Sequence, residues 1–227
     1  SQDIRHTGLG GEDLNLADER ANYEARVSDC QWMHAAWPCF SWSPALSLPP
    51  GGTGYRHNNT PPGPYRSLEQ YNGMSWLGPE LRARVNNSTE HMELCVRIAL
   101  QIDANGGSVS LENSPDCRDP QAPWHISRGG YTSATQAPVW EHPTMKAYIK
   151  KTGSIVVTRP TCGTAMTFPA FRKYMSFCLN KRAYKHAGPL LRLECCGKPH
   201  KMLHGRAADG RSNGEHAEKY SEKLNKI

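Results

Sequence analysis

The stretch over residues 79–107 constrains the fold more than any other part of the chain. Pro79 suits a first helical position and Glu80 follows in the first turn, where a carboxylate complements the helix dipole. Leu81, Val85, Met92, Cys95, Ala99 and Ile102 then recur on one face at near-helical spacing, until Asn105-Gly106-Gly107 ends the run. This predicts a long amphipathic helix with Cys95 in the core. A β-prone run over 108–111 follows and closes in Glu112-Asn113-Ser114-Pro115. Upstream, residues 30–37 are short, apolar and aromatic, which predicts a strand buried on both faces. A helix over 143–151 and strands over 154–158 and 173–179 continue the alternation, so the expected fold class is α/β, a sheet with crossover helices.

The 227 residues, 37% hydrophobic with a mean hydropathy of −0.67, can bury one sizeable core or one core plus a small module. No apolar run approaches the ~18 residues of a membrane span, so no membrane partner is expected. A net charge of +6 and a pI near 8.9 suit a polyanion partner, although the same excess also serves solubility. Eight irregularly spaced cysteines are too few for a disulfide scaffold of this length, which fits an intracellular setting.

Two long Pro/Gly-rich loops interrupt the pattern. The first, over 47–79, carries Pro49-Pro50-Gly51-Gly52 and Pro61-Pro62-Gly63-Pro64 together with Tyr55, Arg56, His57, Tyr65, Arg66 and Tyr71. Guanidinium groups pair with phosphate and aromatic faces stack on bases, so this loop is expected to act as a nucleic-acid-contacting lid, the plain alternative being a surface loop. The second, over 116–141, carries Trp124, His125, Tyr131 and Trp140. A short helix is expected over 18–27. Gly8-Leu9-Gly10-Gly11 has no strand before it in this chain, as a phosphate loop would require, and reads as a turn.

Chemistry concentrates in two places. The apolar run before Pro38-Cys39 delivers a thiol to the end of a strand, and Glu112 also ends a strand, with Asn113 beside it. Ligands of open α/β sheets bind at the carboxyl ends of strands, so the thiol and the carboxyl can converge there. A thiol hydrolase pairing Cys39 with His34 or His57 is a further option. In Cys195-Cys196-Gly197-Lys198-Pro199-His200-Lys201-Met202-Leu203-His204, the residues Cys196, His200 and His204 fall at i, i+4 and i+8. On a helix His200 and His204 would share a face, and thiolate with imidazole favours zinc, the remaining ligand coming from Cys162 or Cys195. Without a metal the same segment is a basic patch.

Pro38-Cys39-Phe40-Ser41-Trp42-Ser43 resembles the Pro-Cys-x-x-x-Ser motif of DNA (cytosine-5) methyltransferases, and Glu112-Asn113 resembles their Glu-Asn motif. The resemblance implies a Rossmann-like, methyltransferase-type α/β sheet acting on DNA, with Cys39 attacking C6 of a flipped cytosine and Glu112, beside Asn113, contacting N3. Ser43 closes the first motif. Flipping is required because neither ring atom is reachable inside a stacked duplex. It also implies S-adenosylmethionine, for which Asp3, Asp18 and Pro38 are the cofactor-side candidates. No Phe-x-Gly-x-Gly segment is present in these residues, so the expectation is the catalytic half of such a fold, with the donor site dependent on an upstream segment. Arg56 and Arg66, with Arg172 and Lys173 in place of the family's arginines, are the expected DNA contacts, the basic pair serving equally as a strand edge that discourages aggregation. Trp37 stands where the family has a second proline, and Ser114 follows Glu-Asn where Val or Pro is usual. The expected division is a methyltransferase-like α/β domain over 1–180 and a basic segment with a Cys/His zinc site over 181–227, in an intracellular protein for which the nucleus is one option. The alternative is a non-catalytic nucleic-acid-binding or zinc-stabilised module on the same framework.

Overall fold

The computed structural model describes residues 17–27, 30–43, 64–125, 127–128, 131–132, 136–162 and 173–200. The predicted long helix is α2 (Pro79–Ala104), with Pro79 in its first turn. Its buried face includes Val85, Met92, Cys95, Ala99 and Ile102, so Cys95 is core, as its spacing requires. The stop after α2 has a steric cause. Gly106 adopts a left-handed φ of 75°, and a Cβ on Gly107 would stand 2.5 Å from Ile102 Cγ2 and 3.0 Å from the Gln31 carbonyl oxygen.

The chain leaves that turn directly into β2 (Ser108–Asn113), which pairs in parallel with β1 (Trp32–Ala36) from Trp32↔Ser108 to Ala36↔Glu112. A parallel pair needs a crossover, and α2 supplies it. Two further strands, β5 (Ile155–Pro160) and β6 (Tyr174–Leu179), form an antiparallel pair with Pro160 opposite Tyr174. The resulting four-stranded mixed sheet has the order β1-β2-β6-β5, with β6 antiparallel to β2. A two-stranded ribbon, β3 (Ser127–Arg128) and β4 (Tyr131–Thr132), lies in the second loop.

One face of the sheet carries Ala35, Val109, Leu111 and Cys178 into the main core, against α2 and α3 (Pro143–Thr152). Helix α1 (Ala17–Val27) packs Tyr23 and Val27 on this core and is tied to α2 by ion pairs from Arg20 to Glu90 at 2.9 Å and from Arg97 to Glu24 at 3.1 Å. On the other face Met175, Phe177 and Leu179 meet Ala183, Ala187 and Leu190 of α4 (Lys181–His186) and α5 (Gly188–Leu191), with the α4–α5 connection. The expected boundary at residue 180 therefore falls inside a packed unit, because α4 and α5 cover the sheet.

Asn180 fastens this unit. Its side-chain oxygen accepts from the amides of Val109 and Ala183, and its side-chain nitrogen donates to Asp103 Oδ1 and the Gly107 carbonyl. One buried amide thus joins the end of α2, the start of β2 and the first turn of α4.

The expectation that the first strand is buried on both faces is corrected. Only Ala35 of β1 is buried, while Trp32 is 59% exposed and Ala36 is also exposed. Strand β1 is an edge strand, and α4 and α5 lie over β2, β5 and β6 instead. Apolar composition marks a strand but does not say how many of its faces a helix will reach.

Candidate functional site

Beyond Ala36 the chain runs through Trp37 and Pro38 to Cys39 and then folds tightly, with the Trp42 and Ser43 amides both donating to the Cys39 carbonyl at 2.9 Å. Ser41 and Trp42 are buried by this turn, and Cys39 and Ser43 are half-buried. Ser88 of α2 holds the turn: its hydroxyl donates to the Pro38 carbonyl at 3.1 Å and accepts from Trp42 Nε1 at 2.9 Å.

Arg66 completes the clamp. It is 1% exposed, its guanidinium lies 3.6 Å over the Trp42 ring, and it donates to Ser41 Oγ, Thr89 Oγ1 and the carbonyls of Val85 and Tyr71. Burial pushes its pKa down to about 9, which still leaves it charged at neutral pH. The expectation that Arg66 contacts nucleic acid is corrected: every nitrogen is turned inward, and the residue shapes the Cys39 turn. A guanidinium presents the same fork to a phosphate as to a set of protein oxygens, so composition alone cannot separate the two uses.

Glu112 lies opposite Ala36 and is 2% exposed. Its carboxylate stands 3.4 Å from His34 Nε2, and His34 Nδ1 is 3.2 Å from Ser110 Oγ. His34, Ser110 and Glu112 fall at alternate positions of paired strands and so share one face. This position couples His34 to Glu112. Asn113, 1% exposed, donates from Nδ2 to the Trp37 carbonyl at 3.3 Å and accepts the Ser114 amide at 2.9 Å, joining the end of β2 to the turn that carries Cys39. The parallel pairing thus brings Cys39, Ser43, Glu112 and Asn113 to one edge of the sheet.

Strands β1, β2 and β5 run in the same direction, so the end of β5 reaches this edge too. Lys173 lies here, half-buried just before β6, its carbonyl accepting the Thr161 amide at 2.9 Å. Cys162, 2% exposed, follows Thr161 and meets residues that come after α5. Its Sγ is 3.7 Å from Cys195 Sγ, and His200 Nε2 is 3.6 Å from Cys195 Sγ and 3.3 Å from Cys196 Sγ. The four donor atoms all lie within 4.8 Å of one another, and the cluster could hold a metal. Burial raises the Cys162 thiol to about 11, opposed by a hydrogen bond from the Cys196 backbone, so metal binding at neutral pH would displace a proton.

The helix on which His200 and His204 would share a face does not form over its described part. Residues 192–200 form no helix, and Gly197 takes a left-handed φ of 67° ahead of Pro199. Cys195, offered by the sequence only as one of two options, joins Cys162 in the cluster. Two adjacent cysteines in a glycine- and proline-containing turn were the available signal for it.

Of the cofactor-side candidates, Asp18 is exposed in the first turn of α1, and the Pro38 carbonyl is taken by Ser88. These two form no cradle for S-adenosylmethionine among the described residues. Asp3, Arg56, His57, Arg172 and His204 lie outside the described residues. No family model, no curated protein and no solved structure matches this chain, which leaves the geometry of the sheet edge as the ground for any functional reading.

Proposed function

We propose that the carboxyl edge of β1 and β2 is a cytosine-modifying site of the DNA (cytosine-5) methyltransferase type, with Cys39 as nucleophile and Glu112 as acid. The observation that carries the reading is the hydrogen bond from Asn113 to the Trp37 carbonyl, which ties the carboxylate-bearing strand end to the thiol-bearing turn. In this reading a cytosine leaves its stack and enters the edge. The Cys39 thiol gives its proton to solvent and its sulfur bonds to C6, the displaced electron pair moves towards C5 and N3, and Glu112 donates a proton to N3. C5 then takes a proton from solvent and loses its original hydrogen to solvent as a proton; the Cys39 sulfur departs with its electron pair and N3 returns its proton to Glu112, which restores the ring. His34, partly exposed and beside Glu112, links that carboxyl to solvent. This exchange needs no methyl donor.

The test is release of tritium from DNA carrying [5-³H]cytosine, without a methyl donor. Release by the wild-type chain is expected, with loss in Cys39→Ser and a fall of about 10²–10⁴-fold in Glu112→Gln, the usual weight of a positioned acid. No release by the wild type, or undiminished release by Cys39→Ser, would overturn the assignment.

For the cysteine–histidine cluster we propose that the metal is zinc. Three thiols and an imidazole form the soft-to-borderline donor set it prefers, whereas calcium and magnesium take oxygen ligands.

A further inference from the structure

We infer that Cys162, Cys195, Cys196 and His200 form a closed Cys₃His zinc centre that staples the segment after α5 to the carboxyl edge of the sheet, at the opposite end of that edge from the Cys39 turn. The inference rests on the zinc assignment and adds its ligand set and its role.

Geometry carries the ligand set. Zinc–sulfur bonds of about 2.3 Å and zinc–nitrogen bonds of about 2.0–2.1 Å, arranged tetrahedrally, require sulfur–sulfur edges of about 3.8 Å and sulfur–nitrogen edges of about 3.5 Å. The Cys162–Cys195 separation is 3.7 Å, and the two sulfur–nitrogen separations to His200 are 3.6 and 3.3 Å. Four protein donors fill a tetrahedron, so no position is left for water or substrate, which is the mark of a structural rather than a catalytic zinc. The turn suits such a centre as well. Gly197 reverses the chain between Cys196 and His200 with a left-handed φ of 67°.

The fold carries the role. Cys162 and Cys195 are 33 residues apart, on either side of β6, α4 and α5, so one ion would close that whole excursion onto the end of β5. Leu191 and Leu193 pack on the sheet, and the Leu191 carbonyl accepts Arg159 Nε at 2.9 Å. Beyond Leu193 the described residues have neither strand nor helix, and the cluster is the attachment they share with Cys162. At about 4.8 Å per strand, the end of β5 stands about 14 Å from that of β1 along the same edge. The staple therefore fixes one side of the edge that bears Cys39.

The test uses the full, untagged chain purified under reducing conditions. Elemental analysis is expected to return one zinc per chain. Cobalt(II) in its place is expected to give the visible bands of a tetrahedral site with charge transfer from three thiolates. Cys162→Ser, Cys195→Ser and Cys196→Ser should each remove about a third of the charge-transfer intensity, and His200→Ala should retain that intensity while shifting the visible bands. His204→Ala should change neither. If a cysteine variant does not fold, the wild-type charge-transfer intensity per cobalt still counts the thiolates. Wild-type protein without metal, or with a Cys162–Cys195 disulfide in its place, would overturn both the zinc assignment and the staple. Bound zinc whose cobalt spectrum responds to His204→Ala but not to Cys195→Ser would leave the zinc assignment standing and overturn this ligand set.

Discussion

Arg66 carries its charge into a site where no carboxylate among the described residues meets it, and its cost is offset by four oxygen acceptors and the Trp42 ring. Arg66→Met keeps much of the apolar stem but takes away the hydrogen bonds that the guanidinium donates to those buried acceptors. The expected loss is about 2–4 kcal/mol in urea unfolding, together with faster reaction of Cys39 with a thiol reagent as its turn loosens. An unchanged Cys39 rate in a folded variant would mean that Arg66 does not shape the turn. His142 lies nearby, 5% exposed and edge-on to Trp42 and Tyr71. Burial, reinforced by the charge of Arg66, lowers its pKa to about 4. Between that value and the ordinary value of about 6.5 the unfolded chain binds the extra proton, so stability is full above pH 6.5 and is lost as pH falls towards 4, by at most about 3 kcal/mol. His142→Asn keeps an acceptor at the start of α3 and should flatten this acid limb in unfolding curves taken from pH 7 to pH 4.5. An unchanged slope would place the acid sensitivity elsewhere.

At the scale of elements, Asn180 decides how three pieces meet. An exposed helix cap replaced by alanine costs about 1 kcal/mol. Asn180 is 1% exposed and its side chain fills all of its donor and acceptor positions, so Asn180→Ala strands partners on α2, β2 and α4 at once. The expected cost is about 3 kcal/mol, read as a fall in the denaturant midpoint. A cost near 1 kcal/mol would reduce the residue to an ordinary cap. The elements themselves were largely legible: α2 and its stop, α3 and the central residues of β2, β5 and β6 follow from periodicity, proline and glycine placement. Which faces became covered was not legible, as β1 shows, because an apolar strand reads alike at an edge and at a centre.

For the whole molecule, the main consequence of the sheet order is that distant parts of the chain share one edge. Strand β6 enters antiparallel between β2 and β5, so the ends of β1, β2 and β5 come together with the Cys39 turn, Glu112-Asn113 and the Cys162 cluster. The Cys39 and Glu112 positions were readable as strand ends, since proline and asparagine mark where strands stop. By itself the sequence determined the long helix, most strand positions and the residue types able to act as nucleophile, acid and metal ligands, because these depend on local spacing and side-chain chemistry. Only the tertiary structure decided that Arg66 is an internal clamp, that His34 stands against Glu112 and that Cys195 stands with Cys162, because each depends on strand pairing and packing between residues far apart in the chain.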